Sequence, residues 1–138
     1  MSTDPTTQLE DIDTSLRLWA KQHPQQLAIA DSQQRLTWQA MDRKLNQVAN
    51  ALIAAGLQPN DRLTIIGRNS VDYVLLFLGG LRAGICVAPL STLANAVSLA
   101  GMINDSEARL LFVSQAYAEM IDPIVDQLST LLPNGLKN

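Results

Sequence analysis

Side chains able to move protons, attack as nucleophiles or bind metals are few in these 138 residues: one histidine, His23, one cysteine, Cys86, and the aspartate pairs Asp11/Asp13 and Asp61/Asp72. A metal site needs several ligands converging on one point. His23 has no second histidine and stands beside Pro24, so it reads as a surface residue at a helix end. A reactive thiolate needs a cation or histidine nearby to lower its pKa. Cys86, in the apolar run Ile85-Cys-Val-Ala88, has neither and is expected as a small core residue. Paired carboxylates do acid/base work only in a shared pocket, whereas these four aspartates fall in a cap, a turn and an exposed helix face and are expected to be solvated.

Gly79-Gly-Leu-Arg-Ala-Gly84 spaces its glycines as a phosphate loop does, but Ile85 and Cys86 follow where Lys and Ser/Thr are required. A phosphate loop also opens a helix after a strand; these glycines close one. Gly79 and Gly80 are therefore read as close-packing positions and Gly84 as a helix stop. The loop Arg68-Asn-Ser70 follows a buried strand at its carboxyl end, where α/β sheets place ligands, and is the one loop nominated for function. Helix capping by Ser70 accounts for part of it. No residue is assigned as catalytic, cofactor-binding or metal-binding.

The elements that must position these residues follow from apolar spacing. Apolar residues form 47% of the chain and charged residues 17%, which predicts one well-buried core. The net charge of −3, without a Lys/Arg cluster, argues against nucleic acid and acidic membrane surfaces as partners. A single cysteine leaves no internal disulfide, and the polar start of the chain lacks the basic and apolar regions of a signal peptide, so a cytoplasmic location is expected. The stretch Tyr73 to Leu90 is too interrupted for a transmembrane segment.

Ile12, Leu16, Trp19 and Ala20 mark a docking helix ending by His23, and Leu27–Ala30 with Arg35–Thr37 a short hairpin. Thr37 stands as an N-cap before the stripe Met41, Leu45, Val48, Ala49, Leu52 and Ile53, and Gly56 supplies the left-handed stop. Leu63–Ile66 reads as a strand buried on both faces. Ser70 caps a helix that buries Val71, Val74, Leu75, Leu78 and Leu81; Ile85–Ala88 is the next strand. Asn95 caps a helix with Leu99, Met102 and Ile103 inside, and Arg109–Val113 is a third strand. A final helical segment from Ser114 is interrupted by Pro123, giving either one kinked helix or two shorter ones. The tail from Leu131 ends where a further strand is due. Strands joined by single helices require right-handed crossovers, so the fold class is α/β, with βαβ units in a mostly parallel sheet preceded by the helix and hairpin.

Four segments in this order carry a family resemblance: Leu36-Thr-Trp-Gln-Ala-Met41; Asn50-Ala-Leu-Ile-Ala-Ala-Gly-Leu-Gln-Pro-Asn-Asp-Arg62; Leu81-Arg-Ala-Gly-Ile-Cys-Val-Ala-Pro-Leu90; and Leu99-Ala-Gly-Met-Ile-Asn-Asp-Ser-Glu-Ala-Arg109. Together they resemble the opening of the adenylate-forming (AMP-binding) superfamily, which includes acyl-CoA synthetases, luciferase-like enzymes and adenylation domains of peptide synthetases. Ala40 stands where the family has Glu, removing half of a capping box with Thr37, and Asn60 stands where it has Gly.

The resemblance implies a partial N-terminal subdomain of that fold over residues 1–138. Residues 1–35 form the docking helix and hairpin, 36–113 the closely matching core and 114–138 a terminal helical segment. It further implies a complete enzyme, acting in fatty acid metabolism, that adenylates a carboxylate with ATP and Mg and then forms a thioester with coenzyme A. The motifs that bind those groups in the family lie beyond this stretch, so the chain by itself is expected to bind no cofactor and to be inactive. Its expected partners are the remainder of the enzyme or a protein that completes the sheet, with self-association as a further outcome. The rival reading is a non-enzymatic binding or regulatory module derived from the same scaffold.

Overall fold

The computed structural model describes residues 5–133 and 135–137, in which helix and strand alternate in the expected order. Helix α1 (Pro5–Gln22) stops ahead of Pro24, and strands β1 (Leu27–Ala30) and β2 (Arg35–Thr37) form an antiparallel hairpin. Asp31 closes its turn by accepting the amides of Gln33 and Gln34 at 2.8 and 2.9 Å. Helix α2 (Trp38–Ala54) begins at Thr37, whose hydroxyl accepts the Ala40 amide at 3.2 Å even without the reciprocal Glu. It ends at Gly56, whose φ of +105° suits a residue without a Cβ, and Leu57 folds back into the core.

Next come β3 (Arg62–Ile66), α3 (Val71–Arg82), β4 (Cys86–Pro89), α4 (Ala96–Asp105) and β5 (Leu110–Val113). Ser70 and Asn95 cap α3 and α4 with their side chains. The sheet is parallel, in the order β4-β3-β5-β6, where β6 (Leu136–Lys137) pairs with β5. The tail itself therefore supplies the start of the further strand. Of the two options at Pro123, the broken one is realised: 3-10 turns at Gln115–Tyr117 and Asp122–Gln127 flank a short α5 (Ala118–Ile121).

Strand alternation sends Leu63 and Leu110 to one face, against Leu52, Leu57 and Ile85 with Val48 and Leu76 beside them. Ile66, Leu111 and Val113 face the other way, against Leu99 and Ile103 of α4 and Ile121 and Ile124 of the terminal turns. A smaller cluster of Leu36, Met41, Leu45, Val71 and Leu75 joins hairpin, α2 and α3. β3 is buried on both faces, as a central parallel strand must be.

Several burial expectations need correction. Cys86 is exposed, because β4 is an edge strand and Cys86 sits at its amino end, paired with the exposed Arg62 beyond the core layer. Ile53 is 56% exposed: it lies one residue, about 100° of helix turn, past Leu52, outside the strip that α3 and the sheet cover. Leu81 and Met102 emerge at the margins of their helices' buried faces. On α1, Ile12 and Trp19 are exposed and Ala20 is buried. Trp19 lies over Trp38, with ring centroids 5.7 Å apart.

Candidate functional site

The chain passes from β3 through α3 to β4 on one side, then returns through α4 on the opposite face to β5 on the other side of β3. The loops leaving β3 and β5 therefore diverge, and a crevice opens at the carboxyl ends of these neighbours, the point where doubly wound sheets receive ligands. Its volume is about 570 Å³. Val48 and Ala51 of α2, Leu76 of α3, Ile65 of β3 and Phe112 of β5 contribute apolar walls. Lys44, Arg68, Ser70, Asp72 and Tyr73 bring polar groups to the lining. The nominated loop is thus at the site, through Arg68 and Ser70.

Local electrostatics decide what this end of the sheet can hold. Helix N-termini attract anions through free amides, but at α3 the Val71 amide donates to Asp31 Oδ2 at 2.9 Å and the Tyr73 amide to Ser70 Oγ at 3.1 Å. The amide of Val71, then those of Gln33 and Gln34, hold the Asp31 carboxyl below the usual carboxylate range. Asp72 Oδ1 accepts the Gln34 side-chain amide at 2.8 Å. Two carboxylates thus occupy the helix end, a poor environment for a polyphosphate. Among the described residues no group of three or more His, Cys, Asp or Glu could hold a metal ion. The end of α3, with these amides engaged and two carboxylates beside them, does not fit the phosphates of ATP. On the other flank, Arg68 Nε–H donates to Tyr117 Oη at 3.4 Å. That bond, with one from Thr92, draws the Tyr117 hydroxyl below its ordinary pKa, while burial pushes Tyr73 up.

The remaining candidates do not converge. His23 is half-buried at the end of α1, its ring 4.5 Å from that of Trp19. Asp61 accepts the Gln58 amide at 2.8 Å within its turn. The side chain of Asp11 lies outside the described residues. Asp13 is not a free carboxylate: although burial works to raise its pKa, hydrogen bonds from Arg17 and Arg82 prevail and lower it. Gly79 and Gly80 do serve close packing, since a Cβ at either would fall 2.4 or 2.5 Å from a methyl of Val48 or Val87.

Two arrangements were missed from the sequence. Arg82, with a side chain only 2% exposed, ties three helices: Nε–H donates to Asp13 Oδ1 at 2.7 Å, and Nη1–H to Asn46 Oδ1 at 3.0 Å and the Asp42 carbonyl at 3.1 Å. Its Nη2 is 2.9 Å from Asp42 Oδ1, yet the pair lacks hydrogen-bond alignment, so this contact is an ion pair only. Asp13 and Asp42 are far apart in sequence, which hid the cluster. The other omission is Lys44 with Gln47 and Ala51, three and seven residues apart, a second strip of α2 beside its core stripe that lines the crevice together with Val48 of that stripe.

An AMP-binding enzyme family model matches residues 16–134. The chain is similar to a fatty acid–[acyl-carrier-protein] ligase, ScoC, of Streptomyces coeruleorubidus: 28% identical over 129 residues, covering 94% of this chain and 24% of that protein. Among solved structures, it is similar to a Mycobacterium tuberculosis fatty acyl CoA synthetase (TM-score 0.87, 25% identity, 94% of this chain and 26% of the other). It is also similar to the N-terminal domain of FACL13 from the same organism (TM-score 0.85, 26% identity, 91% of this chain and 32% of the other). The chain spans a quarter or less of the length of the curated relatives it matches. No helix among the described residues is long and apolar enough to cross a membrane.

Proposed function

Because the chain belongs to the AMP-binding enzyme family, whose model spans residues 16–134, we propose that it is the N-terminal scaffold of an ATP-dependent acid–CoA ligase. The supporting observation is the asymmetry of coverage, in which nearly all of this chain matches about a quarter of an acid ligase. In the complete enzyme, a carboxylate oxygen would attack the α-phosphorus of ATP and expel pyrophosphate, and the acyl group would then pass to the thiol of coenzyme A with release of AMP. Charge developing on the transferring phosphates must be met by donors or metal already in place. The amides of Val71 and Tyr73, already bonded to Asp31 and Ser70, supply none. The scaffold's contribution is mechanical: the two-faced core holds the carboxyl ends of β3 and β5 in register, and Arg82 fixes α1 and α2 against α3.

On this reading ATP, Mg and coenzyme A are held by the remainder of the enzyme, and the isolated chain is inactive. A fatty acid as substrate and the cytoplasm as compartment complete the proposal. Two matched proteins carry fatty acids in their names, and the sequence has a single cysteine. The test is a graft: residues 16–134 replace the corresponding segment of the M. tuberculosis fatty acyl CoA synthetase. Acid-dependent ATP–pyrophosphate exchange retained by the chimera is expected. A folded, ATP-binding chimera without exchange, beside an active parent enzyme, would overturn the reading.

A further inference from the structure

Among the described residues, α1 is attached to the rest of the molecule by side chains alone, whereas the chain just after it is tied in by its backbone. The Pro24 carbonyl accepts the Gln39 amide at 3.2 Å, and the Gln26 carbonyl accepts the Trp38 amide at 2.9 Å. The hairpin that follows is pinned separately, through Asp31 and the Val71 amide. Between Ile12 and Gln22 only Ala20 is buried; Leu16 is half-buried against the cluster of hairpin, α2 and α3, and Trp19, though it lies over Trp38, is exposed. Helix α2, by contrast, buries Met41, Leu45, Ala49 and Leu52. One hydrogen bond crosses from α1 to the body among the described residues, from Arg82 Nε–H to Asp13 Oδ1 at 2.7 Å.

Few buried apolar contacts and one polar tether mark a segment that opens while the rest stays folded. We infer that α1 is a releasable strap, hinged at His23–Pro24 and caught by Asp13 on Arg82, and that its lifting bares a guanidinium only 2% exposed when the strap is down. This holds whether or not the chain serves a ligase. The catch is built to let go without stranding a charge. When Asp13 leaves, Arg82 keeps its partners on α2, namely Asn46 Oδ1, the Asp42 carbonyl and the Asp42 carboxylate. Water admitted by the opening takes over Nε–H, so the large penalty of an unpaired charge in a dry interior does not arise. Arg82 Nη2 and Asp42 Oδ1, which face each other without hydrogen-bond alignment, gain solvation at the same moment.

Native-state hydrogen exchange on the 138-residue chain, read amide by amide at several low urea concentrations, is the test. Amides from Ile12 to Gln22 are expected to be protected, yet to exchange faster than those of α2 and α3 and with a weaker dependence on urea, as a local opening that exposes little surface requires. Asp13→Asn should speed exchange in α1 about tenfold, the loss of one charge-assisted hydrogen bond at a partly solvated carboxylate, and leave α2 and α3 within about twofold of the parent. Arg17→Gln removes the other partner of Asp13, which lies on α1 itself, and should change α1 exchange by no more than about twofold. Urea midpoints confirm that each variant is folded. Exchange of α1 only on global unfolding, or α1 amides without protection in the parent, would overturn the strap. Equal acceleration of α1 by Asp13→Asn and Arg17→Gln would overturn the catch, as would an Asp13→Asn effect spread evenly over α1, α2 and α3.

Discussion

The approach of α3 to the sheet depends on Gly80, and a single methyl group tests it. An added Cβ would lie 2.5 Å from Cγ2 of Val87, with the next neighbours, Leu63 Cδ2 and Leu52 Cδ1, at 3.7 and 4.0 Å. Since carbon atoms rest at about 3.5–4.0 Å, one contact is too short by roughly an ångström and the others are ordinary. Gly80→Ala should therefore force Val87 off its rotamer or push α3 outward, at a cost of about 1–3 kcal/mol. Replacing glycine in a helix returns about 0.5–1 kcal/mol, so the net effect is a loss of up to about 2.5 kcal/mol. In a Val87→Ala background the short contact is gone, and Gly80→Ala should instead stabilise by about 0.5–1 kcal/mol. Urea unfolding of the four members of this double-mutant cycle, with m-values compared, measures the coupling. A Gly80→Ala effect of the same sign and size in both backgrounds would refute the packing account.

Leu45 is 0% exposed, so Leu45→Ala should cost about 2–5 kcal/mol, while Gln47→Ala, at an exposed position, leaves the urea midpoint near that of the parent. Asp31→Asn should lower the thermal midpoint at neutral pH. Because the folded-state pKa is depressed, the stabilisation is present above the unfolded carboxylate value and lost as pH falls through the folded one, so the gap should close in acid; a gap independent of pH would contradict it. Cys86 should react with a thiol reagent in the native state, without denaturant, whereas a core cysteine would react only on unfolding.

Much of this fold is legible because local signals agreed with each other. Thr37, Ser70 and Asn95 each announce a helix, and each does cap one. Asn60 shows a departure from the family's Gly that the structure accommodates: its φ is +70°, a left-handed conformation that asparagine tolerates better than most residues. Where periodicity misled, the cause was the edge of a layer. Ile53, Met102 and Cys86 have apolar neighbours in sequence, but burial depends on what lies across from them, and Cys86 at the amino end of β4 and Ile53 and Met102 at the outer margins of their helices are left uncovered. The candidate site was half legible. The loop Arg68-Asn-Ser70 follows from the carboxyl-end rule, but its partners Lys44 and Phe112 come from elements that spacing alone does not bring together. Asp31 at the α3 terminus is separated from Val71 by 40 residues, so the carboxylate that takes up the first amide of α3 had no local signature.

On the proposed reading, this chain carries the scaffold and the remainder of the enzyme carries the phosphate chemistry. Carboxylate-dependent ATP–pyrophosphate exchange by the purified 138-residue chain, run over a panel of fatty, aromatic and short-chain acids, tests it most directly. Exchange indistinguishable from a no-acid blank for every acid is the predicted result. Exchange that rises with any one acid and saturates would show that the chain assembles an active site from its own residues, and would contradict the account.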